Sequence, residues 1–331
     1  MGDFMEEIFN SLTRIIKEHN NILIMTHKNP DFDGMGAAFG LQQVINSFNK
    51  TSYICINKIE KNNSLNKAYK LIKEKNLYLN TINKSDVKNI IDDDTLLIIL
   101  DTHKKQMTEI PQLVDKVKNI VIIDHHIKNG DYIKNYNLCY INSGLSSTVE
   151  FITNYIKYLN KTIDSLFSTF MLVGLEIDTN NFRLKTSEKT YEAAAHLIKL
   201  GADNILKQEL LQENKEIYLK RQKLISKSFM VNSNMILCIA DEKTYENKDL
   251  AEIAEDLLQF ENVDASFVIG KITNNIVGIS ARSIGKINVE KIMSKLGGGG
   301  HYTEAATQIK NKTIKDVQNL LLEQIKEEKW R

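Results

Sequence analysis

The chain has 331 residues, and its 43 Lys and Arg stand against 42 Asp and Glu, for a formal net charge of +1. Balanced charge gives no global field to attract a long nucleic acid, so any polyanion contact has to be local and a small anionic substrate fits better. With 42% hydrophobic and 26% charged residues, the chain reads as a soluble globular protein with room for two domains. Cys55, Cys139 and Cys238 are odd in number and widely spaced, which suggests buried thiols in a reducing cytoplasm rather than disulfides or a zinc ribbon. The longest apolar run is about five residues against the roughly 20 of a membrane span, and acids stand where a signal peptide would have bases. The expectation is a cytoplasmic chain with no membrane segment.

In chain order, apolar positions at helical spacing over 8–17 lead into the apolar run 21–25, a helix followed by a buried strand. The acidic loop HKNPDFDG (27–34) follows, then helical periodicity over 36–48 and a strand at 52–56. Strand, polar loop, helix and strand is the grammar of a parallel sheet, whose ligands gather at the carboxyl ends of the strands. The runs 95–100 and 119–123 repeat it, each meeting a polar cluster at its C-terminal end. Helices are predicted at 148–159, opened by a capping box of Ser147 and Glu150, at 165–177, and at 187–200, ended by Gly201. Residues 203–230 have helical spacing without Gly or Pro and predict one linker helix. Short strands MILCIA, SFVIG and IVGIS then surround a helix at 249–259, followed by a helix at 288–296, the run Gly297 to Gly300, and a closing helix at 313–328. The predicted fold is α/β: a parallel-sheet domain over 1–202 with helices on both faces, the linker helix 203–230, and a smaller mixed α/β domain over 231–331.

Four segments end in acids or histidines where an apolar run stops: HKNPDFDG, LLIILDTH (96–103), IVIIDHH (120–126) and LVGLEIDT (172–179). In the first, Pro30 stiffens the approach, Gly34 and Gly36 allow tight turns, and Asp31, Asp33 and His27 can address adjacent divalent ions. Asp101 ends its strand where a carboxylate is well placed to bridge two ions, while His103, Lys104 and Lys105 read as surface residues. Asp124, His125 and His126 reach a third strand end, and because neighbouring side chains diverge there, one histidine faces a metal while the other faces substrate or an acid. Asp178 closes an apolar helix at the end whose dipole disfavours negative charge, which asks for a compensating cation. Each cluster alone has a bland explanation as a cap, turn or surface pair. Their joint occurrence at one topological position, with oxygen and imidazole ligands and no thiolate, indicates a dinuclear hydrolytic centre that prefers Mn²⁺ or a similar ion.

H-x-N-P-D-x-D, the strand-end D-T-H, the D-H-H triplet and G-x-x-x-D-T resemble motifs I to IV of the DHH phosphoesterases, and residues 279–307 look like the DHHA1 domain that accompanies them. Within the family, 146–152, 174–186 and the stretch from Ala281 to His301 are most similar to the catalytic part of GdpP-type cyclic di-AMP phosphodiesterases. That type is usually membrane-anchored, with a PAS and a degenerate GGDEF domain ahead of the catalytic part. The resemblance implies one Mn²⁺ on His27, Asp31 and Asp101 and a second on Asp33, Asp101, His125 and Asp178. It makes Asp124 a support and points His126 at the scissile phosphate, with Asp101, Asp124 and His126 as the catalytic set. Arg282 and Ser283 would bind a substrate phosphate, and Gly298, Gly299, Gly300 and His301 would admit a nucleotide. The implied substrate is a small cyclic or linear dinucleotide, cut to pApA, with a second cut to AMP and a homodimer left open. Two alternatives remain, a nanoRNase or pAp phosphatase and a cyclic-dinucleotide sensor that does not cut.

Overall fold

The computed structural model describes residues 2–57, 65–128, 130 and 132–327. The chain divides into two compact units, Met1–Gln212 and Glu213–Arg331. No described helix is long and apolar enough to cross a membrane.

The first unit is built on a six-stranded sheet of order β3-β2-β1-β4-β5-β6, parallel throughout. Its strands are β1 (Asn21–Met25), β2 (Thr51–Cys55), β3 (Thr81–Ile82), β4 (Thr95–Leu100), β5 (Asn119–Asp124) and β6 (Leu138–Ile141). β1, β4 and β5 are almost wholly buried, which explains their unbroken apolar runs. The strand order reverses between β1 and β4, the position where an open parallel sheet leaves a crevice at its carboxyl edge.

Among the described residues this unit has seven α-helices: α1 (Gly2–Glu18), α2 (Phe32–Asn46), α3 (Leu65–Glu74), α4 (Thr148–Tyr158), α5 (Ser165–Asp178), α6 (Glu188–Lys199) and α7 (Asn204–Leu211). All seven contribute to one core with Ile22, Ile24, Ile98 and Val121 of the sheet. The opposite face, with Leu23, Leu97, Ile99 and Ile122, is covered by irregular segments carrying the short 3₁₀ turns Val87–Asn89, Lys105–Met107 and Pro111–Leu113. The expected helices on both faces are therefore α-helices on one face and single turns on the other. Pro111 opens the last of these turns at its first position, where its missing N–H and fixed φ are tolerated.

The predicted linker helix is also corrected. It is two helices, α7 and α8 (Lys215–Ile225), and α8 opens on the Asn214 side chain, which accepts from Glu216 and Ile217 N–H. A good N-cap residue starts a new helix where helical spacing alone would run through.

The second unit holds α8, α9 (Asn247–Leu257), α10 (Val289–Lys295) and α11 (Ile314–Glu327) around a mixed sheet of order β11-β12-β10-β9-β8-β7. Its strands are β7 (Phe229–Met230), β8 (Met235–Thr244), β9 (Ala265–Thr273), β10 (Ile276–Ser283), β11 (Gly299–Gly300) and β12 (Glu304–Lys310). β8 and β9 run parallel and the other pairs antiparallel. Cys55 and Cys238 are buried as expected, whereas Cys139 is half-buried.

Candidate metal centre

The acidic loop is shorter than its sequence suggests. Asp31 caps α2, its Oδ1 accepting from the Asp33 and Gly34 N–H groups at 2.9 and 3.1 Å, so Asp33, Gly34 and Gly36 stand in the helix. Gly36 serves packing and not a turn: a Cβ there would lie 3.1 Å from Met171 Cα of α5. α2 and α5 can thus approach closely, which brings Asp33 at one helix start to Asp178 at the other helix end.

Asp101 follows β4 in a left-handed conformation, φ 62°, uncommon for a residue with a Cβ. Its carboxylate faces two ways. Oδ2 lies 3.4 Å from His27 Nε2, while Oδ1 lies 3.2 Å from His125 Nε2. On one side, His27 Nε2 is also 3.7 Å from Asp31 Oδ1. On the other, His125 Nε2 is 3.1 Å from Asp178 Oδ2 and 3.7 Å from Asp33 Oδ2. His27, Asp31 and Asp101 offer three ligand atoms within 4.8 Å of one another, and so do Asp33, His125 and Asp178 and the set Asp101, His125 and His126. Neighbouring ligands of a six-coordinate divalent ion lie about 3 Å apart, so small adjustments would close these groups on an ion.

The electrostatics fit a cation. Burial and the Asp178 and Asp101 charges push the Asp33 carboxyl well up. Asp178 is pushed up to about 6 by burial, with His125 pulling it back and Asp31 and Asp101 adding to the rise. Burial opposes ionisation of Asp101 too, yet His125 and His27 outweigh it and hold that carboxyl below the usual range. Burial pulls both imidazoles down, but Asp101 and Asp31 push His27 to about 11, and Asp101 and Asp178 push His125 to about 11. The protonated histidines do the work that a divalent ion would take over.

From this follows a pH dependence. An ion must displace the His27 and His125 protons, so metal affinity should rise with pH, and below about pH 6 Asp178 adds a further proton to be displaced. Calorimetric titration with Mn²⁺ from pH 5 to 8 should show proton release and a steepening below about 6; affinity independent of pH would contradict the protonation pattern.

Two supports escaped the sequence reading. The start of α4 aims its free N–H groups at Asp33: Thr148 N donates to Oδ2 and Val149 N to Oδ1, both at 2.8 Å, and the Thr148 hydroxyl donates to Asp101 Oδ1 at 3.2 Å. The Ser-Ser-Thr helix start was the available signal, since helix N-termini bind anions. Ser147 does cap this helix, but Glu150 does not complete the predicted box; it accepts from Ser146 Oγ at 2.5 Å and Thr190 Oγ1 at 2.8 Å. His103, expected at the surface, is 2% exposed and lies 2.5 Å by its Nδ1 from Asp124 Oδ2. Burial pushes the Asp124 carboxyl up, but His103 and His126 prevail and hold it low. His126 is half-exposed, with its Nδ1 2.8 Å from Asp124 Oδ1.

The remaining site residues lie in the second unit. Arg282, on β10, lines a pocket of about 300 Å³ with Asn247, Lys248 and Ser280, and its Nε donates to Glu255 at 3.2 Å. Ser283 is buried, its hydroxyl accepting from Gly285 and Ile287 N–H, which commits it to a turn. The glycine run is ordered by its neighbours. Gly297 (φ 77°) ends α10 in a Schellman motif, with its N–H to Ser294 O and that of Gly298 to Met293 O. Gly298 packs against the Ala306 carbonyl, and Gly299 and Gly300 form the edge strand β11. Gly299 has open space where a Cβ would stand, and His301 N–H donates to Glu304 O at 2.6 Å.

Two family models match the chain, the DHH family N-terminal domain over residues 21–175 and the DHHA1 domain over 232–328. Cyclic-di-AMP phosphodiesterase GdpP of Bacillus subtilis is 36% identical over 316 residues, 94% of this chain; the chain spans about half of that relative, 48%. Bifunctional oligoribonuclease and PAP phosphatase NrnA of Mycoplasma genitalium is 29% identical over 91% of this chain and 93% of its own length. A crystal structure of an exopolyphosphatase-related protein from Bacteroides fragilis superposes with a TM-score of 0.79 at 18% identity, covering 97% of both chains, and so shares the fold. With a DHH domain on the parallel sheet and a DHHA1 domain on the mixed sheet, the chain belongs to the DHH/DHHA1 family.

Proposed function

We propose that this chain is a phosphodiesterase that hydrolyses cyclic di-AMP to pApA with two Mn²⁺ ions. The observation that carries the reading is the divided Asp101 carboxylate, one oxygen toward His27 and the other toward His125, as a bridging ligand requires. His27, Asp31 and Asp101 would hold one ion, and Asp33, Asp101, His125 and Asp178 the other. When bound, such a pair supplies Lewis acidity to phosphoryl oxygens and lowers the pKa of a water. The chain's residues do the rest. The α4 N–H groups fix Asp33, Thr148 fixes Asp101, and His126, tied to Asp124 through Nδ1, keeps its half-exposed ring at the rim, where Nε2 can meet a phosphoryl oxygen.

Arg282 supplies the cation for a substrate phosphate, and Gly299, two strands away on the same sheet, with His301 just past that strand, supplies the nucleotide contact. Arg282→Ala should raise KM about tenfold or more while the bound Mn²⁺ per chain stays at the wild-type value, as loss of a charged hydrogen-bonding partner would. A fall in metal content would remove Arg282 from this role.

A second reading, cleavage of short oligonucleotides or pAp, is favoured by the NrnA relative, which this chain spans almost completely. Turnover on cyclic di-AMP, pApA and pAp in Mn²⁺ separates the two. Rapid opening of the cyclic dinucleotide supports the first reading; release of phosphate from pAp with the cyclic dinucleotide untouched overturns it.

A further inference from the structure

His103 lies just beyond β4, and its Nδ1 is 2.5 Å from Asp124 Oδ2. The other oxygen of that carboxylate, Oδ1, takes the His126 backbone N–H at 3.0 Å and lies 2.8 Å from His126 Nδ1. Asp124 has no exposure, so one fully buried carboxylate is shared between two imidazoles. An ionised carboxylate only accepts, so both Nδ1 atoms carry hydrogens. The far side of His103 is different: its Nε2 is buried and has no hydrogen-bond partner among the described residues. Such a nitrogen carries a desolvation cost that an apolar side chain of the same size would avoid. Packing therefore does not explain the imidazole, and the explanation has to come from Nδ1.

We propose that His103 is a positioning residue for His126, acting through Asp124. By donating to Oδ2 it stops the carboxylate turning about its Cβ–Cγ bond. The fixed Oδ1 then holds the His126 ring by Nδ1 and by its backbone, and sets the direction of Nε2. Without His103, Oδ2 is a buried charged oxygen lacking its donor; the carboxylate can rotate toward other donors and His126 loses its constraint. The inference rests on the proposed function for the role of His126 but not for the hydrogen-bond chain itself.

The test uses the full chain with His103→Leu, which keeps volume without a donor, and His103→Asn, whose amide can replace the Nδ1 donor. Proton NMR of the metal-free protein should show a hydrogen-bonded Nδ1–H signal from His126 in wild type and His103→Asn, and lose or shift it in His103→Leu. With Mn²⁺ and cyclic di-AMP, His103→Leu should lower kcat by about 10- to 100-fold with KM within about threefold of wild type, and His103→Asn should recover most of the loss. If no phosphodiester is turned over but the His126 signal still depends on the donor at 103, the functional reading fails and the positioning role stands. Turnover and signal both unchanged in His103→Leu would overturn the inference. So would absence of the hydrogen-bonded His126 signal from the wild-type chain, a measurement that does not depend on either variant folding.

Discussion

Asp101→Ala is expected to remove both bound ions and essentially all turnover. Among the described residues, Asp101 is the one carboxylate that meets both imidazoles: Oδ2 faces His27 at 3.4 Å and Oδ1 faces His125 at 3.2 Å, so its loss would strip a proposed ligand from each group at once. Removing one preorganised electrostatic partner from an active site costs about 10²- to 10³-fold in kcat, and a shared ligand should cost at least that. Metal analysis of the dialysed protein alongside kcat decides the matter. Two retained Mn²⁺ with near-normal turnover would contradict the bridge, and loss of one ion alone would assign Asp101 to a single group. Asp31→Ala offers a contrast, because Asp31 pairs with His27 and not with His125, although its loss also uncaps α2 at the Asp33 and Gly34 N–H groups.

Gly174→Val should be the most damaging substitution outside the ligand set. A Cβ at Gly174 would run into the Phe32 carbonyl and stand 2.9 Å from Asp33 Cα, both backbone atoms of α2 that cannot swing aside. The helices must separate, and α2 carries Asp33 while α5 carries Asp178. Overpacking of this kind costs typically about 1–3 kcal/mol and sometimes more, enough to lower Tm by several degrees. The larger consequence is at the site, since separation of α2 from α5 pulls Asp33 and Asp178 apart. Thermal unfolding without metal, compared with Mn²⁺ affinity of the folded variant, should show both losses. Wild-type affinity in a folded Gly174→Val protein would show that the helix contact does not set the ligand spacing.

The parts of this fold legible in the sequence are those where physics is local. β1, β4 and β5 are buried on both faces, so each reads as an apolar run, and the polar cluster that stops it marks the carboxyl edge. Short edge elements were not legible: β3 and β11 have two residues each. Such strands exist by pairing, and their residues carry little pattern. In the site, Asp31 and Asp33 stood out, but the helix start at Phe32 was hidden because Asp and Gly usually mark loops. His103 was misread because Lys104 and Lys105 follow it, and a one-residue change of direction separates a buried ring from a half-buried lysine. Thr148 needed the fold itself, since its partners lie far away in the chain.

The anchoring of Asp33 by the first turn of α4 has one more consequence. Many small metal sites are assembled by their ion, and chelation then melts the domain. Here the ligands are spread over β-strand ends and two helices rooted in a single large core, and peptide N–H groups already hold a carboxylate in place. On the proposed function the cavity would act as an ion exchanger fixed in that core. Divalent ions would enter as imidazolium protons leave, the charge within the frame would change by less than the ions bring, and the frame would outlast its contents. Stripping with a chelator should then be a reversible chemical event and not a conformational one, and the same folded chain can be emptied and refilled with a different ion.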